Sequence, residues 1–382
     1  MDKNGPGIDR MVEDNIITYP RQEFLKQAVN VAELKGLEIG ALDEPLVKKE
    51  DTRLGGRIFY LDHLPTEELC KKYEADPSVD VDNIVPVDFF CRNGNIVEAT
   101  GGIIFDYVVA SHVIEHTPNL LQFLIDIHKI LKPGGQLILI IPDKRFSFDV
   151  NRPVTTFGAV LEKYSANETK PSISAVYDHF ALANATSGHN IWYGSIKPED
   201  GRLLASEEFA WKAAQSVLKN ERYFDVHVNI FTPASFFEIV RKAISHNLVK
   251  FEVEKFKDTE IGQIEFMIVL KKNKGIHDKE VKMRCLGSIP RLTFESQLSP
   301  YMPQVKALSE ALERSSQTLL EQQIELGKIN ANLNNERETK RRAEEELGIA
   351  QRVLDRKSVR FALATANIVF KFFQKSNVKK AK

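Results

Sequence analysis

Apolar residues in this chain fall in short runs that stop at a glycine or an acid, alternating with stretches at helical spacing. That rhythm predicts a parallel sheet covered by helices. Its clearest unit spans Phe105 to Arg145. Phe105 to Ala110 is an apolar run around Tyr107, as expected of a strand buried on both faces. The run then breaks into Ser111, His112, Glu115 and His116, where the carboxyl end of a strand opens onto the crevice in which doubly wound sheets bind ligands. Thr117 and Pro118 predict a helix start, with the hydroxyl as cap and the proline as first helical residue. Leu120, Leu121, Leu124, Ile127, His128 and Leu131 share one face of that helix. Lys132-Pro133-Gly134-Gly135 stops it, and Gln136 to Ile141 is the next buried strand.

The pattern extends in both directions. A flexible leader over residues 1–20 precedes a helix expected from about Arg21 to Glu33. Short strands are expected at Leu37–Gly40, Ile58–Leu61 and Asn83–Val87, ending near Gly40, Asp62 and Asp88. Thr232-Pro233 opens another helix through Phe236, Phe237, Ile239, Val240 and Ala243. Val249–Phe256 and Ile264–Leu270 then read as two further strands. Residues 146–230 are longer than a connector requires and carry Phe146, Phe148, Tyr177, His179, His189, Trp192, Tyr193, Trp211 and His227. A segment of this length predicts a substrate cap over the crevice, although most of its aromatics, Trp211 included, suit a core role.

Beyond residue 275 the organisation changes. Residues 276–302 read as a linker containing Gly287, Pro290 and Pro300. From 303 to 357 the period becomes seven: Val305, Leu312, Leu319, Leu326, Leu333, Leu347 and Leu354 recur, with Lys340 interrupting them. The companion position holds Leu308, Ile329, Ala343 and Ala350 among polar residues. One strong seam and one weak seam predict a coiled coil and a homo-oligomer or another coiled-coil partner; a single solvated helix is the rival reading. Residues 358–382 mix Phe361, Phe370, Phe372 and Phe373 with lysine and arginine. This basic amphipathic tail suits peripheral contact with an anionic membrane, or docking on a protein.

Composition narrows the function classes. The 382 residues support a sizeable core at 43 % apolar content. With 52 basic and 53 acidic residues the net charge is −1, so no overall field argues for nucleic acid. Cys70, Cys91 and Cys285 lack the paired spacing of a zinc site or a disulfide framework, which points to a reducing cytoplasm. No tight ligand spacing calls for a metal. The amino-terminal stretch lacks the apolar core of a signal peptide, and no run approaches the roughly 20 apolar residues of a membrane span.

Taken in order, FDYVV, HVIEH, LKPGG and IPD resemble the middle of a class I S-adenosylmethionine-dependent methyltransferase, and the likeness covers residues 30 to 275. The longer strings HVIEHTPN and IPDKRFSFD are similar to bacterial methyltransferases linked to surface polysaccharide biosynthesis. The resemblance implies an α/β, doubly wound, Rossmann-like sheet of seven strands with the last pair antiparallel. It also implies S-adenosylmethionine as cofactor and a glycan or sugar-phosphate intermediate as acceptor. Glu38, Gly40 and Ala41 stand at the family's first motif, whose glycine-rich run is reduced here to one glycine. Asp62, 24 residues after Glu38, suits the ribose hydroxyls. Asp88 suits the adenine amine, and Ser111 and His112 complete the cofactor side.

Methyl transfer to a hydroxyl needs alignment and a base. His116 is the first candidate, with His179 and His227 from the cap as alternatives. Glu115, Asp143, Lys144 and Arg145 are candidates for orienting the acceptor, the two cations suiting a phosphate. A nicotinamide-dependent oxidoreductase is disfavoured because no G-x-G-x-x-G follows the first strand. A degenerate methyltransferase domain acting as an oligomeric scaffold at the inner face of the membrane is the non-enzymatic alternative.

Overall fold

The computed structural model describes residues 14–52, 54–185, 188–192, 201–219, 222–260, 262–275, 278–292 and 301–354. Most of the leader, Tyr193 and the basic tail 358–382 lie outside them. Seven strands form one sheet: β1 (Lys35–Ile39), β2 (Arg57–Asp62), β3 (Phe89–Phe90), β4 (Phe105–Ser111), β5 (Leu131–Pro142), β6 (Phe251–Lys257) and β7 (Glu265–Lys272). Their order is β3-β2-β1-β4-β5-β7-β6. The first five are parallel, and β7 runs antiparallel to both its neighbours.

Alternation along each central strand sends side chains to two separate cores. Leu37, Ile39, Val108, Ala110, Leu137 and Leu139 pack with Leu120, Leu121, Leu124 and Ile127 of α4 (Leu120–Ile130) and with Phe236 and Val240 of α9 (Pro233–Ser245). Ile58, Tyr60, Tyr107, Val109, Ile138 and Ile140 pack on the other face with Phe24 and Leu25 of α1 (Asp14–Ala28) and the Ala41–Val47 loop. Between these elements the chain forms α2 (Thr66–Tyr73), α3 (Ile96–Ala99), α5 (Phe157–Ser165), α6 (Ile173–Leu182), α7 (Gly188–Trp192) and α8 (Glu207–Leu218).

Several boundaries differ from expectation for local reasons. Helix α1 begins at Asp14 and runs through Pro20, so residues 14–20 belong to it rather than to a leader. Helix α4 starts after Asn119, whose side chain accepts from the Gln122 N–H. Thr117 instead donates its hydroxyl to the Val113 carbonyl inside the preceding turn. The third strand is only Phe89–Phe90: Val81–Asn83 form a 3-10 turn and Asp88 precedes the pairing. Thr232 does cap α9, in a reciprocal pair with Ser235, and Pro233 follows it as expected.

The segment 146–230 is largely helical, with its own small core of Val176, Ala213, Phe224, Val226 and Val228. Trp192 stacks on Phe146 with ring centroids 3.8 Å apart. Trp211, expected in a core, is 58 % exposed. The expected linker also contains structure: α10 (Asp278–Ser288) lays Val281 and Cys285, followed by Ile289, into the main core. Helix α11 (Tyr301–Leu354) covers the heptad region as one continuous helix, and the chain divides into two units near residue 308. Among the described residues no helix is long and apolar enough to cross a membrane.

Candidate active site

The carboxyl ends of β1, β2, β4 and β5 share one edge of the sheet, and the start of antiparallel β7 joins them there through the Pro142–Glu265 pairing. Each strand delivers one polar group as its apolar run ends. After β1, Gly40 takes φ +69°, and a Cβ there would stand 2.9 Å from Val113 Cγ2. The loop passes so close to the end of β4 that only glycine fits, as the sequence suggested. Asp62 closes β2 nearly buried, its Oδ1 receiving the His63 backbone N–H at 2.6 Å. Ser111 closes β4, and His112 follows at φ +51°.

Three of the residues expected on the cofactor act behind this surface. Glu38 is buried, and its two oxygens accept from the Leu46 and Val47 N–H groups at 2.7 and 2.9 Å. Burial pushes its carboxyl up to about 7 despite those bonds. It therefore shapes the Gly40–Val47 loop from inside. Ala41 turns its methyl into the core beside Phe24 and Val47. Asp88 spends Oδ2 on the Tyr60 N–H at 2.9 Å and so ties the β3 segment to β2. Of the residues expected on the cofactor, Gly40, Asp62, Ser111 and His112 remain at the sheet edge. The absence of side-chain volume at Gly40 and the acid at Asp62 fit a nucleoside that lies over the ends of β1 and β2.

His112 belongs to an ion cluster that spacing along the chain did not reveal. Its Nε2 is 2.7 Å from Glu265 Oε2, and Arg21 of α1 donates to both Glu265 oxygens at 2.7 and 2.5 Å. Burial alone would raise the Glu265 carboxyl, but the bonds from His112 and Arg21 outweigh it and hold it down at about 2. Arg21 thereby pins α1 across this edge.

The three candidate bases converge. The His116 and His227 rings meet edge to face with centroids 4.7 Å apart, His179 lies 6.2 Å from His227, and Phe148 is within 4.6 Å of His227. A segment over 225–231 brings His227 there by clamping the 114–117 turn. Val228 and Asn229 donate backbone N–H groups to the Glu115 carbonyl, and the Asn229 amide donates to the Ile114 and Thr117 carbonyls.

Each of two imidazoles is backed by an acid. His227 Nδ1 is 2.5 Å from Asp149 Oδ2, and Arg152 donates to the other Asp149 oxygen at 2.7 Å. His116 Nδ1 is 2.9 Å from Asp225 Oδ1, whose second oxygen pairs with Lys72 of α2 at 2.6 Å. Burial works against the His116 cation, but Asp225 and Glu115 prevail and raise its pKa above the ordinary imidazole value. Burial and the neighbouring His227 instead push His179 down to about 3, which keeps it neutral and makes it a poor proton acceptor near pH 7. The chain of contacts Asp62–His63–Lys72–Asp225–His116 joins the sheet edge to this cluster.

At its centre Glu115 is 0 % exposed, and neither carboxylate oxygen has a hydrogen-bond partner. His112 Nδ1 faces Glu115 Oε1 at 3.5 Å, a contact too long for a good hydrogen bond, so the buried carboxyl can still take a ligand. One ligand atom each from Glu115, His116 and His227 lies within 4.8 Å of the others. With both Nδ1 atoms facing carboxylates, Nε2 is the available nitrogen, the arrangement by which outer acids orient imidazole ligands. Glu115 and His116 are neighbours in the HVIEH string, but His227 stands far along the chain, so spacing did not reveal the three as one donor set.

Of the expected acceptor residues, only Glu115 reaches this cluster. Asp143 and Arg145 form a buried pair, with Arg145 Nη2 donating to Asp143 Oδ2 at 2.6 Å, while Thr259 donates to the same carboxylate at 2.8 Å. Lys144 donates to the Val150 carbonyl at 2.7 Å. They brace the end of β5 and are not free to bind a phosphate. Asp149, Arg152, Asp225, Lys72, Arg21 and Glu265 were missed: Asp149 closes the IPDKRFSFD string without being singled out, and the others are lone charged residues outside any motif.

Residues 19–243, more than half of the chain, match the family model described as a methyltransferase domain. The human mitochondrial ubiquinone biosynthesis O-methyltransferase is 31 % identical over 174 residues, which is 42 % of this chain and 45 % of that protein. The ubiquinone biosynthesis O-methyltransferase of Methylobacterium sp. (strain 4-46) is 31 % identical over 122 residues, 32 % of this chain and 41 % of that protein. The chain thus spans less than half the length of either relative. A solved S-adenosylmethionine-dependent methyltransferase from Aquifex aeolicus aligns with 66 % of this chain and 89 % of its own, at 11 % identity and a TM-score of 0.33. With its sheet order and the family match in agreement, the chain belongs to the methyltransferase domain family.

Proposed function

We propose that this enzyme methylates a hydroxyl oxygen on an acceptor with an aromatic ring, and that His116 receives the hydroxyl proton. The observation carrying this reading is the convergence of His116, His227 and Phe148 around the buried Glu115 carboxyl, which makes no hydrogen bond. S-adenosylmethionine supplies the methyl group on a sulfonium that leaves as a neutral thioether. As the acceptor oxygen bonds to that carbon, its proton passes to His116 Nε2, and Asp225 stabilises the imidazolium from the Nδ1 side. Phe148 and His179 offer ring faces for a flat acceptor. The ubiquinone-pathway relatives are named as O-methyltransferases, which supports oxygen as the accepting atom.

A glycan or sugar-phosphate acceptor has less support, because Lys144 and Arg145 are already occupied. The buried Glu115 carboxyl favours a second reading of the same chemistry, in which Glu115, His116 and His227 hold a divalent cation that polarises the hydroxyl. The test is transfer of labelled methyl from S-adenosylmethionine to simple dihydroxybenzenes, to hexose phosphates and to fractionated glycans, with and without chelator. Phenol labelling that falls roughly 100-fold in His116→Ala supports the base role. Labelling of glycans alone, or of nitrogen acceptors, refutes the proposal.

A further inference from the structure

The exposed leucines of α11 are uncovered by other described residues. Leu312, Leu319, Leu326, Leu333 and Leu347 are 44–69 % exposed, as is Ile329 of the companion position at 52 %. A helix this long with one apolar seam needs another surface to cover it. Two charges in that seam decide which. Lys340 interrupts the leucine series, and Glu336 stands in the companion series between Ile329 and Ala343. In a parallel pair in register each residue meets its own copy, so lysine faces lysine and glutamate faces glutamate. Both contacts are repulsive in a desolvated seam.

An antiparallel pair instead sets leucine-series positions against companion positions of the second copy. One register places Lys340 opposite Glu336 of the second copy, twice by symmetry. The same register places Leu347 opposite Ile329, Leu333 opposite Ala343 and Leu326 opposite Ala350. Large residues then face small or matching ones through the seam, as interdigitation requires. Moving the register by one heptad either way puts Glu336 against Leu347 or Leu333 and leaves Lys340 without an acid. Within one chain Lys340 reaches only Glu344, at 4.0 Å and largely in water, a contact that costs little to exchange.

We infer that α11 pairs with a second copy of this chain as an antiparallel coiled coil in which Lys340 faces Glu336 of the second copy. At 1.5 Å per residue the overlap from 322 to 354 spans about 50 Å and covers Leu326, Leu333 and Leu347, while Leu312 and Leu319 lie beyond it. The weak companion seam of the sequence thus becomes the small side of a leucine–alanine interface.

Sedimentation equilibrium on the full chain tests the pairing. Wild type is expected to dimerise. Lys340→Glu and Glu336→Lys should each weaken the dimer at least 10-fold, and the double exchange should restore it, because the pair is re-formed with its signs swapped. A monomeric wild type overturns the inference, as does a double exchange no tighter than either single variant. Orientation is read by cysteine crosslinking against the wild-type background. Leu347→Cys combined with Ile329→Cys should give a covalent dimer, whereas Leu347→Cys alone should not. Ready self-crosslinking of Leu347→Cys would show a parallel pair and discard the antiparallel one.

Discussion

Replacing Asp225 by asparagine should shift the pH dependence of catalysis toward acid. Asp225 lies 2.9 Å from His116 Nδ1, and both side chains are about one-third exposed, at 34 and 36 %. An unscreened pair at that distance would be worth about 6 kcal/mol at an effective dielectric constant of 20. Partial exposure and the opposing cost of burial reduce this, and an acid this close to a titrating group typically moves it by roughly 1–3 units. Other charges also face the ring: Glu115 raises the His116 value, while Lys72 and the neighbouring His227 act on the same space. Removing Asp225 leaves Lys72 without its acid, which disfavours the imidazolium further.

In the wild type the base is free only above the raised His116 value, so kcat/KM should rise with pH along a limb above 6.5. In Asp225→Asn that limb should move to lower pH. The variant should then keep a larger share of its own plateau at pH 6, although the plateau itself is lower. Linkage fixes the sign for stability as well. A histidine with a raised folded value adds stability below its unfolded value and loses it as pH climbs through the folded one. The wild type should therefore lose its stability advantage over Asp225→Asn as the same limb is crossed. Steady-state rates with a phenolic acceptor between pH 5 and 9, paired with thermal melts, check both effects. An unmoved limb would show that His116 is not the group that titrates.

Gly40→Ala combines a left-handed backbone with a clash at Val113, costing about 1–2 kcal/mol of strain; calorimetry should show S-adenosylhomocysteine affinity falling more than 10-fold. Gly36→Ala would place its Cβ within the Tyr107 ring and should lower the melting temperature sharply without any direct effect on the cofactor. Truncation after residue 275 removes Val281 and Ile289 from the core, about 3–6 kcal/mol of burial, whereas truncation after 292 should leave a folded, cofactor-binding unit; urea melts of the two compare them. Glu115→Gln should abolish any loss of activity on chelation if the cluster holds a cation, and a chelator that never affects the wild type removes that reading.

How far the site was legible from sequence depends on what kind of fact each residue carries. Strands and their order of burial could be read because a strand covered on both faces must be apolar, and Leu37, Val108 and Ile138 satisfy that wherever they stand. Gly40 could be read because a backbone conformation restricts one position to one residue type. Glu38 and Asp143 were placed at the right strand ends yet turn inward, since sequence fixes where a carboxylate occurs and not which backbone N–H or guanidinium claims it. The roles of Asp149, which closes the IPDKRFSFD string, and of Asp225 could not be read: their meaning lies in His227 and His116, which the segment over 225–231 brings together at the 114–117 turn. That segment also explains how the chain holds a buried Glu115 whose carboxyl makes no hydrogen bond and has only the His112 imidazole facing it at 3.5 Å. Its carbonyl is satisfied by Val228 and Asn229, so the backbone is fixed while the carboxylate is left for a ligand. A site made this way depends on the clamp. Asn229→Ala removes the amide that holds the Ile114 and Thr117 carbonyls, and it should lower kcat more than it weakens cofactor binding. Equal losses in both would mean that the turn serves the cofactor edge and not the histidines.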